Sequence, residues 1–307
     1  MKIGITCYPT YGGSGVVGTE LGIELAARGH EVHFIAYQQP IRLNTDHPRI
    51  LFHEVTVSQY PLFEYPPYDL ALATRMAEVA EIYNLDILHV HYAIPHSVSA
   101  LLARQMLAAA DKPRKLPFVT TLHGTDITIV GADHSYLPVT RYAIENSDGV
   151  TAISNYLRQR TLKEFEVRNH VEVIYNFVNC DLYKRDPQAA EHRTEFARPD
   201  ERIVVHVSNF RPVKRLCDVI EIFDRVQKKV PARLLLMGDG PQAHIPVPGL
   251  AANIVLYRTK DGVGVRYPGE FRVNGEVRTD RDALPPHAAV SGKEISFALE
   301  PAVRWGK

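Results

Sequence analysis

The 307-residue chain is poor in cysteine and has no charge imbalance, and both features exclude broad classes of protein. Its three cysteines (Cys7, Cys180 and Cys217) are far apart and form no Cys-x-x-Cys pair, so neither a disulfide framework nor a structural zinc site is expected. Its 35 basic residues balance 35 acidic ones, which gives no support for nucleic-acid or membrane-surface binding. Neither a membrane-spanning apolar run nor a signal-peptide pattern is present, so we expect a globular protein of the cytoplasm.

A glycine-rich segment, Gly12–Gly18, lies between the apolar run Ile3–Cys7 and the helical pattern Val17–Ala27. A strand, a glycine loop and a helix in this order favour anion binding, because glycines let the backbone approach a ligand and the helix N-terminus presents free N–H groups. A tight turn that only packs the helix against the strand is the structural alternative.

The same segment matches the G-x-G-x-x-G pattern of dinucleotide sites, but it lacks the acid that should accompany it. Such a site needs a carboxylate near the end of the second strand to hold a ribose. Here the predicted strand 31–37 is followed by Gln38, Gln39 and Pro40. The sequence therefore argues against NAD and in favour of a different anion.

Short apolar segments alternate with helical patterns over the first 175 residues. This order predicts an α/β fold with a mostly parallel sheet covered on both faces. The predicted strands are 2–7, 31–37, 50–55, 86–91, 117–122, 149–153 and 171–175, and the predicted helices are 16–28, 69–84, 96–109, 136–146 and 155–166, the last capped by Ser154.

Four regions follow from the pattern. Residues 1–178 are predicted to form a complete N-terminal Rossmann-like domain, 179–202 a linker, and 203–241 a partial second Rossmann-like domain with strands 202–207 and 233–237 around a helix at 216–229. For residues 242–307 the pattern predicts a small antiparallel β-rich tail, with strands at 253–260, 263–267, 270–273, 276–279 and 293–299. We therefore expect a fusion or truncation seam near 241–248.

Six segments in order carry a family resemblance: Gly12–Leu21, Tyr65–Ala71, His89–His96, Thr120–Asp126, Tyr175–Phe177 and Ser208–Arg215. Over residues 1–241 the chain resembles the N-acetylglucosaminyl–L-malate synthases of bacillithiol biosynthesis, which are retaining GT-B glycosyltransferases of the family 4 type. The resemblance implies that UDP-GlcNAc, as a co-substrate, gives its sugar to the hydroxyl of L-malate with retention. It implies neither a cofactor nor a metal, and it places the acceptor mainly in the first domain and the donor mainly in the second, facing a cleft.

The resemblance also assigns site residues. His123 is the catalytic candidate, Ser14, Tyr92, Thr121, Arg141 and Asn176 are acceptor-binding candidates, and Gly15, Asn209, Arg211 and Lys214 are donor-binding candidates. Each of these side chains also fits a purely structural role.

Position in the chain supports three of these assignments independently. His123 follows a predicted buried strand, and the carboxyl ends of parallel strands face the ligand crevice. Arg211 and Lys214 precede a predicted helix, where cations oppose the helix dipole unless an anion is bound. His89 and His91 share one face of a strand and could supply two ligands of a metal site, but the sequence shows no third ligand.

The chain departs from its family after Pro241. The family holds the donor with a Glu-x7-Glu stretch in that region, and no such spacing occurs there; Glu164 and Glu172 match it by chance. Two functions therefore remain open. One is a glycosyltransferase, whose catalytic activity depends on the residues after 241. The other is a non-catalytic anion- or malate-binding protein with a C-terminal interaction module. A homodimer is compatible with either.

Overall fold

The structure is a computed structural model, and it describes residues 1–10, 12–58, 61–185, 187, 193–194, 196–238, 242–245, 254–259, 262–266, 271–278, 283–284, 289–292 and 296–298. The chain divides into two compact units, Met1–Leu182 and Tyr183–Lys307. We call them unit 1 and unit 2. The finer boundaries at 178, 202 and 241 stay predictions.

Unit 1 is built on a seven-stranded parallel sheet with the order β3-β2-β1-β4-β5-β6-β7. The chain runs outward from β1 in one direction and then returns to continue from β4 in the other. In such sheets the ligand crevice lies outside the carboxyl ends of the two strands at this switch point, here β1 and β4. The strands are β1 Lys2–Thr6, β2 Glu31–Ala36, β3 Ile50–Glu54, β4 Ile87–His91, β5 Phe118–Leu122, β6 Gly149–Ala152 and β7 Val171–Val173.

Apolar side chains of the strands lie on both faces of this sheet, and both faces are buried. On β1, Ile3 and Ile5 pack into a cluster with the fully buried Phe34. Gly4, between them, faces the opposite side of the sheet, where a Cβ atom would meet Leu88 of a second cluster. Successive strand residues face opposite sides, so this alternation places a core on each face. The predicted α/β fold with a parallel sheet is confirmed.

Helices cover the sheet, and their ends follow local signals. Ser154 caps α6, as predicted, because its side chain accepts a hydrogen bond from the Leu157 N–H at 3.2 Å. The described α-helices of unit 1 are α1 Gly13–Ala27, α2 Tyr68–Tyr83, α3 Val98–Ala108, α4 Thr125–Thr128, α5 Leu137–Glu145 and α6 Asn155–Phe165, and a short π-helical segment, Ala93–Ser97, precedes α3.

Helix α1 begins earlier than predicted, so the expected start at residue 16 is wrong. Gly12 is extended and serves as the N-cap, and Gly13 already has helical backbone geometry. Gly15 and Gly18 are therefore helical residues and not parts of a loop. Their role is close packing, because added Cβ atoms would lie 2.2 Å from the Tyr8 carbonyl oxygen and 2.9 Å from the Cys7 Cβ, respectively.

Unit 2 opens with a parallel pair of strands, β8 Arg202–Val207 and β9 Ala232–Met237, connected through α7, Leu216–Gln227. Two four-stranded antiparallel sheets follow, with the orders β10-β11-β12-β15 and β14-β13-β16-β17. Their strands are β10 Gln242–Ile245, β11 Ile254–Thr259, β12 Gly262–Arg266, β13 Phe271–Val273, β14 Glu276–Arg278, β15 Ala283–Leu284, β16 Ala289–Gly292 and β17 Ser296–Ala298.

The antiparallel tail is confirmed, but β10, β15 and β16 were not predicted. The equally short β13 and β14 were predicted because Asn274-Gly275 marks the hairpin turn between them, whereas β10, β15 and β16 have neither such a turn nor a period-2 pattern. The predicted turn around Gly238 continues into 239–241, which lie outside the described residues. Among the described helices, none has the length and apolar character needed to cross a bilayer.

Candidate active site

Histidines gather at the carboxyl ends of β4 and β5. His89 and His91 lie two apart on β4 with their rings stacked at 4.6 Å. His91 Nδ1 is 2.8 Å from Nε2 of His123, the residue that follows β5. His89 Nε2 is 2.7 Å from Thr121 Oγ1, which is in turn 2.8 Å from Thr151 Oγ1. The structure thus joins two candidates predicted from the sequence, Thr121 and His123, through the histidines of β4.

Burial keeps these imidazoles neutral. It lowers the pKa of His89, His96 and His123 to about 4 each, and it lowers the pKa of His91 well below the ordinary 6.5. The neighbouring rings add a smaller effect of the same sign on His91 and His123. At pH 7 His123 is therefore a neutral group that can donate or accept a hydrogen bond.

Asp126 connects the loops that follow β4 and β5. Its fully buried carboxylate accepts hydrogen bonds from the N–H groups of Ala93 at 3.1 Å, His123 at 3.1 Å and Gly124 at 2.7 Å. Burial raises the pKa of Asp126, and these N–H donors oppose that rise. The Asp126 side chain thus fixes the backbone that follows His91 and the backbone at His123.

Tyr92 holds an unfavourable backbone conformation at the end of β4. Its φ of 95° lies in the region that favours glycine, and Gly124 after β5 has a φ of 132°. Surrounding bonds hold Tyr92 in place: its N–H donates to the Thr121 carbonyl at 2.9 Å, and its hydroxyl lies 2.7 Å from Thr125 Oγ1. Strain that several contacts enforce is typical of functional sites.

The start of α1 lies against the same edge of the sheet. Ser14 and Gly15 are in its first turn, where neither an acidic residue nor a side-chain cap is present, so the N–H groups there are suited to an anion. Gly15 packs on the backbone of Tyr8, and the Tyr8 ring contacts the Tyr92 ring at 5.1 Å. Tyr92 stacks on His123 at 5.6 Å. A continuous chain of contacts therefore runs from the glycine segment to His123.

Two acceptor candidates have other surroundings. The guanidinium of Arg141 lies 3.7 Å from a Glu145 oxygen and 3.5 Å from a Glu166 oxygen, and it also donates to the Glu166 carbonyl. Asn176 is exposed in the coil after β7. None of the contacts found for either residue in the described part of the chain is with the histidines.

The donor candidates share one turn of unit 2, between β8 and α7. The Arg211 N–H donates to the Asn209 carbonyl, and the Lys214 N–H donates to the Arg211 carbonyl, both at 2.9 Å. Both cations are exposed, and Asn209 Oδ1 is buried without a described partner. The turn thus presents two positive charges directly before a helix.

Sequence reasoning gave no role to Tyr8, His96, Thr125 or Asp126. For Asp126 a local signal existed, because a carboxylate in the first turn of a helix can reach back to the N–H of the N-cap residue, here Gly124. The contacts of Tyr8 and His96 join segments far apart in the sequence and gave no such signal. In the described part of the chain, no group of three or more His, Cys, Asp or Glu residues is arranged to hold a metal.

Comparison with known families decides the class. Residues 11–182 match the family Glycosyltransferase Family 4. The chain belongs to this family. Unit 1 therefore has the fold of a family 4 glycosyltransferase.

A curated member of the same family is close in sequence. The chain is 53% identical over 244 residues to the N-acetyl-alpha-D-glucosaminyl L-malate synthase of Bacillus anthracis, covering 79% of this chain and 62% of that protein. It is 29% identical over 104 residues to an uncharacterized glycosyltransferase of Methanocaldococcus jannaschii, covering 34% of this chain and 27% of that protein. The chain thus spans less than two thirds of the length of these relatives.

Solved structures show the same fold at low identity. A glycosyltransferase from Rickettsia africae aligns with a TM-score of 0.54 at 19% identity, covering 77% of this chain and 68% of that one. Anabaena Alr3699/HepE in complex with UDP-glucose aligns with a TM-score of 0.51 at 16% identity, covering 77% and 69%. These likenesses establish a GT-B fold.

Proposed function

We propose that this family 4 glycosyltransferase transfers N-acetylglucosamine from UDP-GlcNAc to the hydroxyl of L-malate with retention of anomeric configuration, as a step of bacillithiol biosynthesis. The observation that carries the proposal is the neutral His123 between His91 and Tyr92, at the carboxyl ends of β4 and β5. The identity to the Bacillus anthracis synthase supports the donor and the acceptor.

On the acceptor side, malate needs groups that bind carboxylates. The free N–H groups around Ser14 at the start of α1 suit one carboxylate, and Tyr92 and Thr121 offer hydroxyl groups beside His123. Arg141 is the cation proposed for the second carboxylate, which would compete with Glu145 and Glu166 for the guanidinium. We propose Asn176 as a further polar contact.

On the donor side, the departing UDP carries the negative charge that develops as the anomeric C–O bond breaks. Arg211 and Lys214 supply two exposed cations beside the buried amide oxygen of Asn209, and Gly15 lies at a helix N-terminus. Protein cations and helix N-termini stabilise such charge electrostatically. We therefore propose a reaction that needs neither a metal nor a cofactor.

The reaction itself is the test. Purified protein incubated with UDP-GlcNAc and L-malate is expected to release UDP and form the malate glycoside, detected by mass spectrometry, with the anomeric configuration read by NMR. His123→Ala is expected to lower kcat by about 100-fold, because it removes a hydrogen bond at the reacting sugar. The matched control is His170→Ala, whose exposed ring pairs with Glu172 and should leave kcat unchanged.

A second function is favoured by one observation. No Glu-x7-Glu spacing occurs after Pro241, which supports a non-catalytic anion- or malate-binding protein with a C-terminal interaction module. Absence of product at high protein concentration, together with malate binding by calorimetry, would favour this alternative. Absence of both would contradict both proposals.

We propose the cytoplasm as the compartment, in keeping with the cysteine usage. The proposed partners are the two small substrates, without nucleic acid or membrane, and a homodimer is the proposed assembly. Light scattering of the purified protein tests the last point.

A further inference from the structure

Buried polar atoms without a hydrogen-bond partner concentrate near the carboxyl edge of the sheet in unit 1. Among the described residues of unit 1, four neutral side chains have such an atom: Thr6 Oγ1, Tyr68 OH, His91 Nε2 and His96 Nε2. The others in this unit belong to charged groups in ion pairs. A buried polar group without a partner costs about 1–3 kcal/mol, so four of them near one edge favour a polar ligand there.

His96 shows which kind of group its free nitrogen needs. Its Nδ1 is 2.5 Å from the carbonyl oxygen of His91, and a carbonyl only accepts hydrogen bonds. Nδ1 therefore carries the proton, and the fully buried Nε2 offers a lone pair. The Tyr8 ring packs on His96 at 4.6 Å, next to Tyr92.

Tyr68 offers the complementary group. It is the first residue of α2 and lies in the Tyr65–Ala71 segment, to which the sequence resemblance gave no role. Its ring meets the Tyr37 ring edge-on at 5.4 Å. The Ser99 hydroxyl joins the start of α2 to the segment of His96, because it lies 2.9 Å from the carbonyl oxygen of Asp69, next to Tyr68, and 3.3 Å from that of Pro95, next to His96. Burial raises the pKa of Tyr68. Its hydroxyl is therefore a neutral hydrogen-bond donor on an element that is bonded to the segment of His96.

We propose that Tyr68 is a further acceptor-binding residue, whose hydroxyl donates a hydrogen bond to a carboxylate of the hydroxy-acid acceptor. Two ring pairs, Tyr37 with Tyr68 and Tyr8 with Tyr92, are together called the tyrosine wall. This wall offers a donor for a carboxylate, and His96 offers a lone pair for a hydroxyl, so together they match a hydroxy acid. The inference rests on the proposed function.

Tyr68→Phe tests the role, because it removes the hydroxyl and keeps the ring. The variant is expected to bind L-malate about tenfold more weakly by calorimetry, as expected for loss of a hydrogen bond to a charged group. Without ligand its melting temperature should equal or exceed that of the unmodified protein, since the hydroxyl has no partner to lose. The control is Tyr83→Phe, at the opposite end of α2, which should leave malate affinity unchanged.

The outcomes separate the two proposals. Unchanged malate affinity in Tyr68→Phe overturns the inference and leaves the proposed function standing. Weaker binding with a lowered melting temperature also overturns it, because the hydroxyl then stabilises the fold. If the unmodified protein does not bind L-malate, the proposed function fails and the inference fails with it.

Discussion

At the scale of single residues, the site depends on buried polar side chains with defined partners. His123 could be predicted from the sequence because it directly follows a buried strand, and the structure places it there. Its partner His91 was visible only as half of a metal pair, because the ring contact joins residues 32 positions apart. Sequence spacing identifies residues at the end of one strand but not which neighbouring strand supplies the partner.

Asp126→Asn tests the carboxylate between the two loops. The amide would present one oxygen and an NH2 group to three N–H donors, so at least one donor loses its partner. We expect the free energy of unfolding, from urea denaturation, to fall by about 2 kcal/mol.

Asp133→Asn is the matched control, because that exposed side chain also accepts a backbone N–H bond, from Ser135. Its effect on the free energy of unfolding should be much smaller than that of Asp126→Asn. Equal effects of the two substitutions would contradict the role given to Asp126.

At the scale of elements, the strands of unit 1 match the predicted bounds to within two residues. Continuous apolar runs between turns make buried parallel strands easy to recognise. The start of α1 was missed because glycine has low helix propensity, and only tertiary packing reveals why it is tolerated. In unit 2, β10, β15 and β16 were missed because these two- to four-residue strands show no periodic signal.

Gly15→Ala tests the packing of α1 against the loop after β1. An added Cβ would lie 2.2 Å from the Tyr8 carbonyl oxygen, so the helix must move away from backbone atoms. We expect a loss of about 2 kcal/mol of unfolding free energy, measured by urea denaturation, because overpacking typically costs 1–3 kcal/mol.

Gly13→Ala, two residues earlier, provides the control. A Cβ there meets no atom within 4 Å, and alanine favours the helix, so stability should stay constant or rise. A similar loss of unfolding free energy in both variants would show that the helix geometry, and not the contact with Tyr8, makes glycine necessary at position 15.

At the scale of the whole molecule, the buried histidines couple stability to pH. His53, His89, His96 and His123 each have a pKa of about 4 in the folded chain, against 6.5 ordinarily. Between these values the unfolded chain binds more protons, so folding stability is complete above about pH 6.5 and falls as the pH approaches 4. For the fully buried His96 alone, this difference corresponds to about 3 kcal/mol.

We therefore expect the free energy of unfolding to be several kcal/mol lower at pH 4.5 than at pH 7, as measured by urea denaturation. His96→Asn should weaken this dependence, because it removes one of the groups that gain a proton on unfolding. The control His134→Asn changes a side chain that is 98% exposed and should leave the dependence unchanged. If His96→Asn left the pH dependence unaltered, His96 would not be one of the groups that couple stability to pH.

The bond from Ala93 to Asp126 also has a topological consequence. It joins positions 33 residues apart, and α3 and β5 lie between them, so the bond helps to close a long loop of chain together with the contacts of Tyr92 and His91 to the residues just after β5. The entropic cost of closing such a loop grows only slowly with its length. Insertions on the far side of that loop, away from these contacts, should be tolerated without displacing His123.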